Sequence, residues 1–309
     1  MKTHYNYLKI SAYFILLYFF TVVYNISNKI VLNQLPLPVS FAVIQLFLGI
    51  PLFMPIWMVK PPKDISKISL TSISLVAGFH GLGNLATIYS LGSGSVSFTH
   101  VVKSAEPLFT AFLSICITKS VLSTSVYLSL IPIVVGVALA SAKEVSFSWF
   151  GFLTAMASNL LYQLRIVLSK QLMAPSEISP KISAPNIFRL ITLVSFFELL
   201  PLAIIIEGDL LFQKLHELWS LNSDRNNLLM HILVSGFSYY MYNEIAFWIL
   251  DLVHPLTHAV GNTVKRVVLI IVSIVVFQYP ISILGAFGST MAVMGSFLYV
   301  YLQERDSRS

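Results

Sequence analysis

"LTHAVGNTVKRVVLIIVSIVVF" covers Leu256–Phe277, and its reading decides the fold. Eleven residues after Arg266 carry no charge at all. At a rise of ~1.5 Å per residue the whole stretch reaches ~33 Å, which matches a bilayer core of ~30 Å. Lys265 and Arg266 stand about nine residues inside it, roughly 14 Å deep. A charge at that depth costs ~2.5–3.5 kcal/mol on insertion scales, so such residues are functional candidates by default.

The rest of the chain agrees with a membrane environment. Of its 309 residues 56% are hydrophobic and only 10% charged, against ~25% charged in soluble domains. Ten spans are expected, near 8–29, 37–58, 69–91, 95–118, 122–142, 147–171, 186–207, 228–252, 256–278 and 281–302. Polar breaks are expected at 59–67, 173–185 and 207–227, the last and longest with room for a short interfacial helix. The first apolar run is long enough to read as a span rather than a signal segment. The net charge of +6 is dispersed, which argues against a nucleic-acid partner. The single cysteine, Cys116, builds no disulfide framework.

Ten spans put both termini on one side. That side holds Lys2, Lys9, Lys60, Lys63, Lys67, Lys119, Lys170, Lys181, Arg305 and Arg308. The other holds Lys29, Lys143, Lys214 and Arg225. Cations mark the cytoplasmic side, so the termini are expected in the cytosol.

The opening stretch also has a counterpart. "LTHAV" at Leu256–Val260 matches "FTHVV" at Phe98–Val102, and "LVSGF" at Leu233–Phe237 matches "LVAGF" at Leu75–Phe79. Both matches fall at one offset, 256 − 98 = 233 − 75 = 158. The chain is therefore read as one transmembrane transporter domain, residues 1–309, with repeat one about 1–144 and repeat two about 145–309. Five spans per repeat is odd, so the second repeat enters the membrane from the opposite face. The expected fold is all-α and integral to the membrane, with ten transmembrane helices as two inverted five-helix repeats. Secondary transporters are commonly built this way.

Lys103 lies as deep in span four as Lys265 does in span nine, and Arg165 stands toward the end of span six. Four central cations meet one clear counter-charge, Glu106. Lys103 and Glu106 are three apart, a spacing that allows a local pair on one helix face. Glu244 and Asp251 on span eight are candidate partners for Lys265 and Arg266. Lys29, near a span end, fits a snorkelling role. The surplus of buried positive charge calls for an anion. Arginine supplies a fork for phosphate and lysine a movable point charge. Asn84 and Thr87 share a face of span three, and Asn84 corresponds to Tyr242 by the 158 offset. His100 and His258, near span starts, suit interfacial structure or gating. No metal site is expected, since carboxylate or thiol ligands are lacking nearby. No HExxH or Asp-rich motif is present, so neither an enzyme nor a cofactor is expected.

Three stretches carry a resemblance: "YNISNKIVLNQLPLP" (Tyr24–Pro38), "VSFTHVVKSAEP" (Val96–Pro107) and "YYMYNEIAFWILDLVHPLTHAVGNTVKRVV" (Tyr239–Val268). They resemble the plastidic phosphate translocators of the drug/metabolite transporter superfamily. The resemblance implies an antiporter that exchanges inorganic phosphate for phosphorylated C3 compounds by alternating access: phosphoenolpyruvate, triose phosphate or 3-phosphoglycerate. It implies phosphate-binding roles for Thr87, Lys103, Tyr242, Lys265 and Arg266. Asn84, Arg165 and Tyr242 would face the rest of the substrate. Asn at position 84 is similar to the phosphoenolpyruvate members. "PLTHAVGN" is closer to triose-phosphate members. The alternatives are a hexose-phosphate, pentose-phosphate or nucleotide-sugar carrier of the same superfamily. Plant members carry a long transit peptide, whereas this sequence starts almost directly at its first span; the expectation is a plastid-type membrane, the outermost one of an apicoplast, or else a trimmed sequence, with a Golgi or endoplasmic reticulum membrane as the alternative. A monomer or homodimer is expected.

Overall fold

In the computed structural model the described residues are 2–62, 69–117, 119, 121–142, 144–173, 183–220, 225–253 and 255–306. Lys63, Lys67, Lys143, Lys181 and Arg308, counted above for topology, lie outside them. Twelve helices follow in order among the described residues. They are α1 (Lys2–Gln34), α2 (Pro38–Val59), α3 (Leu70–Ser93), α4 (Val96–Lys103), α5 (Glu106–Cys116) and α6 (Thr124–Leu128). The second half holds α7 (Leu130–Ala142), α8 (Trp149–Met173), α9 (Ala184–Ser220), α10 (Arg225–Leu252), α11 (Pro255–Phe277) and α12 (Ile283–Asp306).

Each expected span has its helical counterpart, with two of the ten broken. Span four becomes α4 and α5, and span five becomes α6 and α7. The cause is the same in both. Pro107 and Pro132 have no N–H, and each ring clashes with the carbonyl four residues back, at Lys103 and Leu128. Those are the last residues of α4 and α6. Pro107 then sits in the first turn of α5, where a missing N–H costs nothing. Backbone carbonyls at the first break take side-chain donors: Asn159 Nδ2 to Val102 O at 3.1 Å, beside the Ala105 N–H at 3.0 Å, and Ser296 Oγ to Ser104 O at 2.8 Å. In a bilayer such groups must be met internally.

The expected break at 207–227 is corrected. Helix α9 runs on through Ser220. Glu207, at the start of that stretch, is buried and caps α2 instead. Its carboxylate accepts the backbone N–H groups of Val39 at 3.1 Å and Ser40 at 2.7 Å. The α2 N-cap residue, Leu37, offers no side-chain acceptor. An anion from α9 therefore meets the orphan donors and positive dipole end of α2.

Among the described residues six helical stretches are long and apolar enough to cross a membrane: Leu8–Gln34, Pro38–Val59, Thr124–Ala142, Ala184–Lys214, Thr257–Phe277 and Ile283–Asp306. The chain is thus an all-helical, multi-pass membrane protein. The expected spans outside this set are α3, α4 with α5, α8 and α10. These carry many of the polar side chains described below.

Packing divides the chain into two compact units, Met1–Ile88 with Leu164–Leu252 and Tyr89–Gln163 with Val253–Ser309. Each unit draws on both halves of the sequence, so the packing units are not the sequence halves. In the first, α1 lies on α10, and α2 on α9 and α10. An aromatic and aliphatic core forms there around Phe53, Ile187, Phe188, Tyr240 and Phe247. In the second, α4 packs on α11 and α7 on α12. The α7–α12 contact is backbone on backbone: a Cβ on Gly288 would lie 2.6 Å from Ala140 N. Small residues permit this close approach, which drives helix association in membranes.

Candidate functional site

The second unit carries three of the four expected central cations, Lys103, Lys265 and Arg266. The break in span four places Lys103 at the C-terminal end of α4 and Glu106 in the first turn of α5. Each charge thus meets the helix dipole end that favours it. It also overturns the expected pairing on one helix face, since the two residues lie on different helices. Glu106 instead forms an ion pair with Arg266 Nη2 on α11 and accepts from Gln163 Nε2 on α8. Lys103 Nζ donates to Ser158 Oγ at 2.8 Å and stands 5.0 Å from the Tyr162 ring centroid. Lys265 Nζ donates to Asn262 Oδ1 at 3.2 Å, and Asn262 Nδ2 donates to His258 Nδ1 at 3.3 Å. His258, Asn262 and Lys265 follow one face of α11.

Lys103, Lys265 and Arg266 lie within electrostatic reach of one another and of buried His100. Arg266 is only 9% exposed, and its Nη1 has no hydrogen-bond partner among the described residues. A buried guanidinium with one arm on a carboxylate and the other unmatched is suited to an oxyanion.

The first unit brings the remaining expected residues together. Asn84 on α3 is 0% exposed. It accepts from Tyr24 OH at 3.3 Å and donates to Gln45 Oε1 at 3.3 Å. Gln45 Nε2 in turn reaches Asn28 Oδ1 at 3.2 Å and Ser235 Oγ at 3.0 Å. The Tyr24 ring lies 5.2 Å from that of Tyr242 and 5.6 Å from that of Tyr239. Tyr24 therefore links Asn84 to Tyr242. Thr87 is buried one turn along α3, with its hydroxyl on Gly83 O at 2.9 Å. Arg165 Nη1 donates to His80 Nδ1 at 3.2 Å, and its guanidinium lies 5.3 Å from the Phe247 ring centroid.

One further expectation is corrected. Glu244 is taken within the first unit by Arg189 of α9, at 2.5 Å from Nη2 and 3.1 Å from Nε. Tyr240 OH and Trp248 Nε1 donate to the same carboxylate at 3.0 and 3.2 Å. The Asp251 side chain lies outside the described residues. Arg189 itself escaped the sequence reading, although a cation within span seven should have been counted with the other four. Gln45, His80, Ser158 and Gln163 were missed too. Their signal was available as amide, hydroxyl and imidazole groups inside apolar spans. No group of three His, Cys, Asp or Glu side chains placed to hold a metal ion occurs among the described residues.

The chain matches the Triose-phosphate Transporter family over residues 8–300. It is 40% identical to phosphoenolpyruvate/phosphate translocator 1, chloroplastic, of Oryza sativa subsp. japonica, over 96% of this chain and 72% of the relative. It is 41% identical to a triose phosphate/phosphate translocator of non-green plastids from Brassica oleracea var. botrytis, over 94% and 72%. It is 37% identical to the xylulose 5-phosphate/phosphate translocator of Arabidopsis thaliana, over 94% and 70%. A solved crystal structure, 12% identical, aligns over 96% of this chain and 99% of its own with a TM-score of 0.53, which bears on the fold alone. Its long apolar helices, its paired cations on α11 and this match along nearly its whole length lead to one conclusion: the chain belongs to the Triose-phosphate Transporter family.

Proposed function

We propose that the protein exchanges inorganic phosphate for phosphorylated three-carbon compounds by alternating access. The carrying observation is the cation cluster of the second unit, in which Arg266 Nη1 is buried without a partner among the described residues. In this reading Lys103, Lys265 and Arg266 hold the phosphate, with Thr87 and Tyr242 as neutral donors. Asn84, Arg165 and Tyr242 meet the remainder of the substrate, and Asn84 gives up a present partner to do so. Phosphorylated three-carbon substrates are favoured because relatives at about 40% identity are named for phosphoenolpyruvate and triose phosphate. The same names support a plastid-type membrane, with apicoplast placement and cytosolic termini part of the proposal.

The ten spans are read as two inverted repeats of five. Several contacts support this. The second span packs on the seventh, the fourth on the ninth and the fifth on the tenth, so each meets its own counterpart. The repeated glycines behave alike: Gly78 of span three faces Glu198 of span seven, and Gly236 of span eight faces Leu48 of span two. In the empty carrier the repelling cations oppose the switch between open states. Bound phosphate neutralises them, which couples inward and outward transport.

Proteoliposomes test the proposal. Vesicles loaded with phosphate should take up labelled phosphate rapidly, and empty vesicles should not. Phosphoenolpyruvate, triose phosphate and 3-phosphoglycerate should compete better than glucose 6-phosphate. Equal uptake into loaded and empty vesicles overturns obligatory exchange. Normal exchange by folded Lys265→Ala or Arg266→Ala overturns the site.

A further inference from the structure

Arg165 is held by a neighbour that neither the sequence reading nor the proposed ligand set includes. His80 stands four residues before Asn84 on α3, on the same helical face, and is fully buried. Its Nδ1 is 3.2 Å from Arg165 Nη1, and its Nε2 is 3.0 Å from Tyr239 OH. The His80 ring packs 5.8 Å from Phe188, edge to face, and 6.1 Å from Tyr239, stacked.

Arginine has donors only. His80 Nδ1 must therefore be the acceptor, which puts the proton on Nε2 and directs it to the Tyr239 oxygen. A buried imidazole in one tautomer thus aims one arm of the guanidinium. Phe247 supports its face at 5.3 Å. Tyr239 anchors the far side of His80 and lies 5.7 Å from the ring of Tyr242.

We infer that His80 is a positioning residue for substrate selectivity: its contact with Arg165 sets the guanidinium toward the non-phosphate end of the substrate, and Tyr239 holds His80 for that task. The inference rests on the reading of Arg165 as a ligand for that end. Phosphate itself has no such end, so its exchange should not depend on His80.

The test is exchange in phosphate-loaded proteoliposomes, with KM measured separately for phosphate and phosphoenolpyruvate. The variants are His80→Ala, His80→Asn, His80→Gln and Arg165→Ala. In Asn the amide oxygen takes the place of Nδ1 and keeps the acceptor for Arg165. In Gln the amide reaches toward Nε2 and keeps only the Tyr239 contact. His80→Ala and His80→Gln should raise the KM for phosphoenolpyruvate about tenfold or more, the scale of one lost hydrogen bond to a charged group. His80→Asn should stay near the parent value. The KM for phosphate should hold in all three. A parallel rise in both KM values, or equal behaviour of Asn and Gln, overturns the inference. If the alanine variant does not fold, the Asn and Gln pair decides the matter. An unchanged phosphoenolpyruvate KM in Arg165→Ala sinks the reading of Arg165 and the inference together. A raised KM there with no effect of His80→Gln or His80→Ala sinks the inference alone.

Discussion

Replacing Glu106 by glutamine should tighten phosphate binding. Arg266 connects the two: Nη2 is engaged by Glu106, while Nη1 has no partner among the described residues. An oxyanion on Nη1 and the carboxylate on Nη2 would share one planar guanidinium. With charge-assisted hydrogen bonds of ~2.8 Å on each arm, the two negative groups come to stand about 6 Å apart. Coulomb repulsion at that distance is ~0.7 kcal/mol per unit charge at a dielectric of 80 and ~2.8 kcal/mol at 20. Relief of that repulsion corresponds to a Kd lower by roughly 3-fold to 100-fold. Glutamine keeps an oxygen for Gln163, so the local hydrogen bond survives. The first turn of α5 loses an acid, which costs ~0.3–1 kcal/mol of helix stability, and the buried Arg266 loses its carboxylate, which costs up to ~3–5 kcal/mol in the empty carrier; the phosphate contacts stay in place. Calorimetric titration of purified protein with phosphate, parent against Glu106→Gln, measures the effect. A folded variant with unchanged or weaker affinity refutes the argument that carboxylate and phosphate compete across Arg266.

Other substitutions probe the scaffold. Glu244→Ala leaves the buried Arg189 charge without its carboxylate, with Asn186 Oδ1 still on Nη1 at 3.2 Å, and should destabilise by ~3–5 kcal/mol. The double variant Arg189→Met with Glu244→Leu should recover most of that loss in a detergent-unfolding titration. Gly136→Leu drives a side chain into the backbone of Gly288 and Ala292. It should cost at least ~1–3 kcal/mol, read as earlier aggregation on heating. Glu207→Ala removes the cap from α2 and should cost ~0.5–2 kcal/mol. Its exchange activity should persist at low temperature and fail sooner on warming.

The sequence alone determined the class of the protein, an all-helical chain that crosses the membrane more than once. Apolar runs of bilayer length are local facts, and the bilayer leaves helices as the means of satisfying their backbone. It also singled out Lys103, Lys265 and Arg266, because a charge in such a run is costly wherever the run packs. Partners were another matter. Lys103 and Glu106 looked like a helical pair by spacing, but Pro107 breaks the helix between them and frees Glu106 for α11. Glu244 looked like a partner for the α11 cations until Arg189, 55 positions away, claimed it. Glu207 looked like the edge of a loop, yet it serves a helix start 167 positions earlier. His80 gave no sign of Arg165. These pairings depend on which helix faces which, a matter of packing between segments far apart in the chain. Burial cost is written in the sequence residue by residue; the partner that offsets it appears only once the helices are side by side.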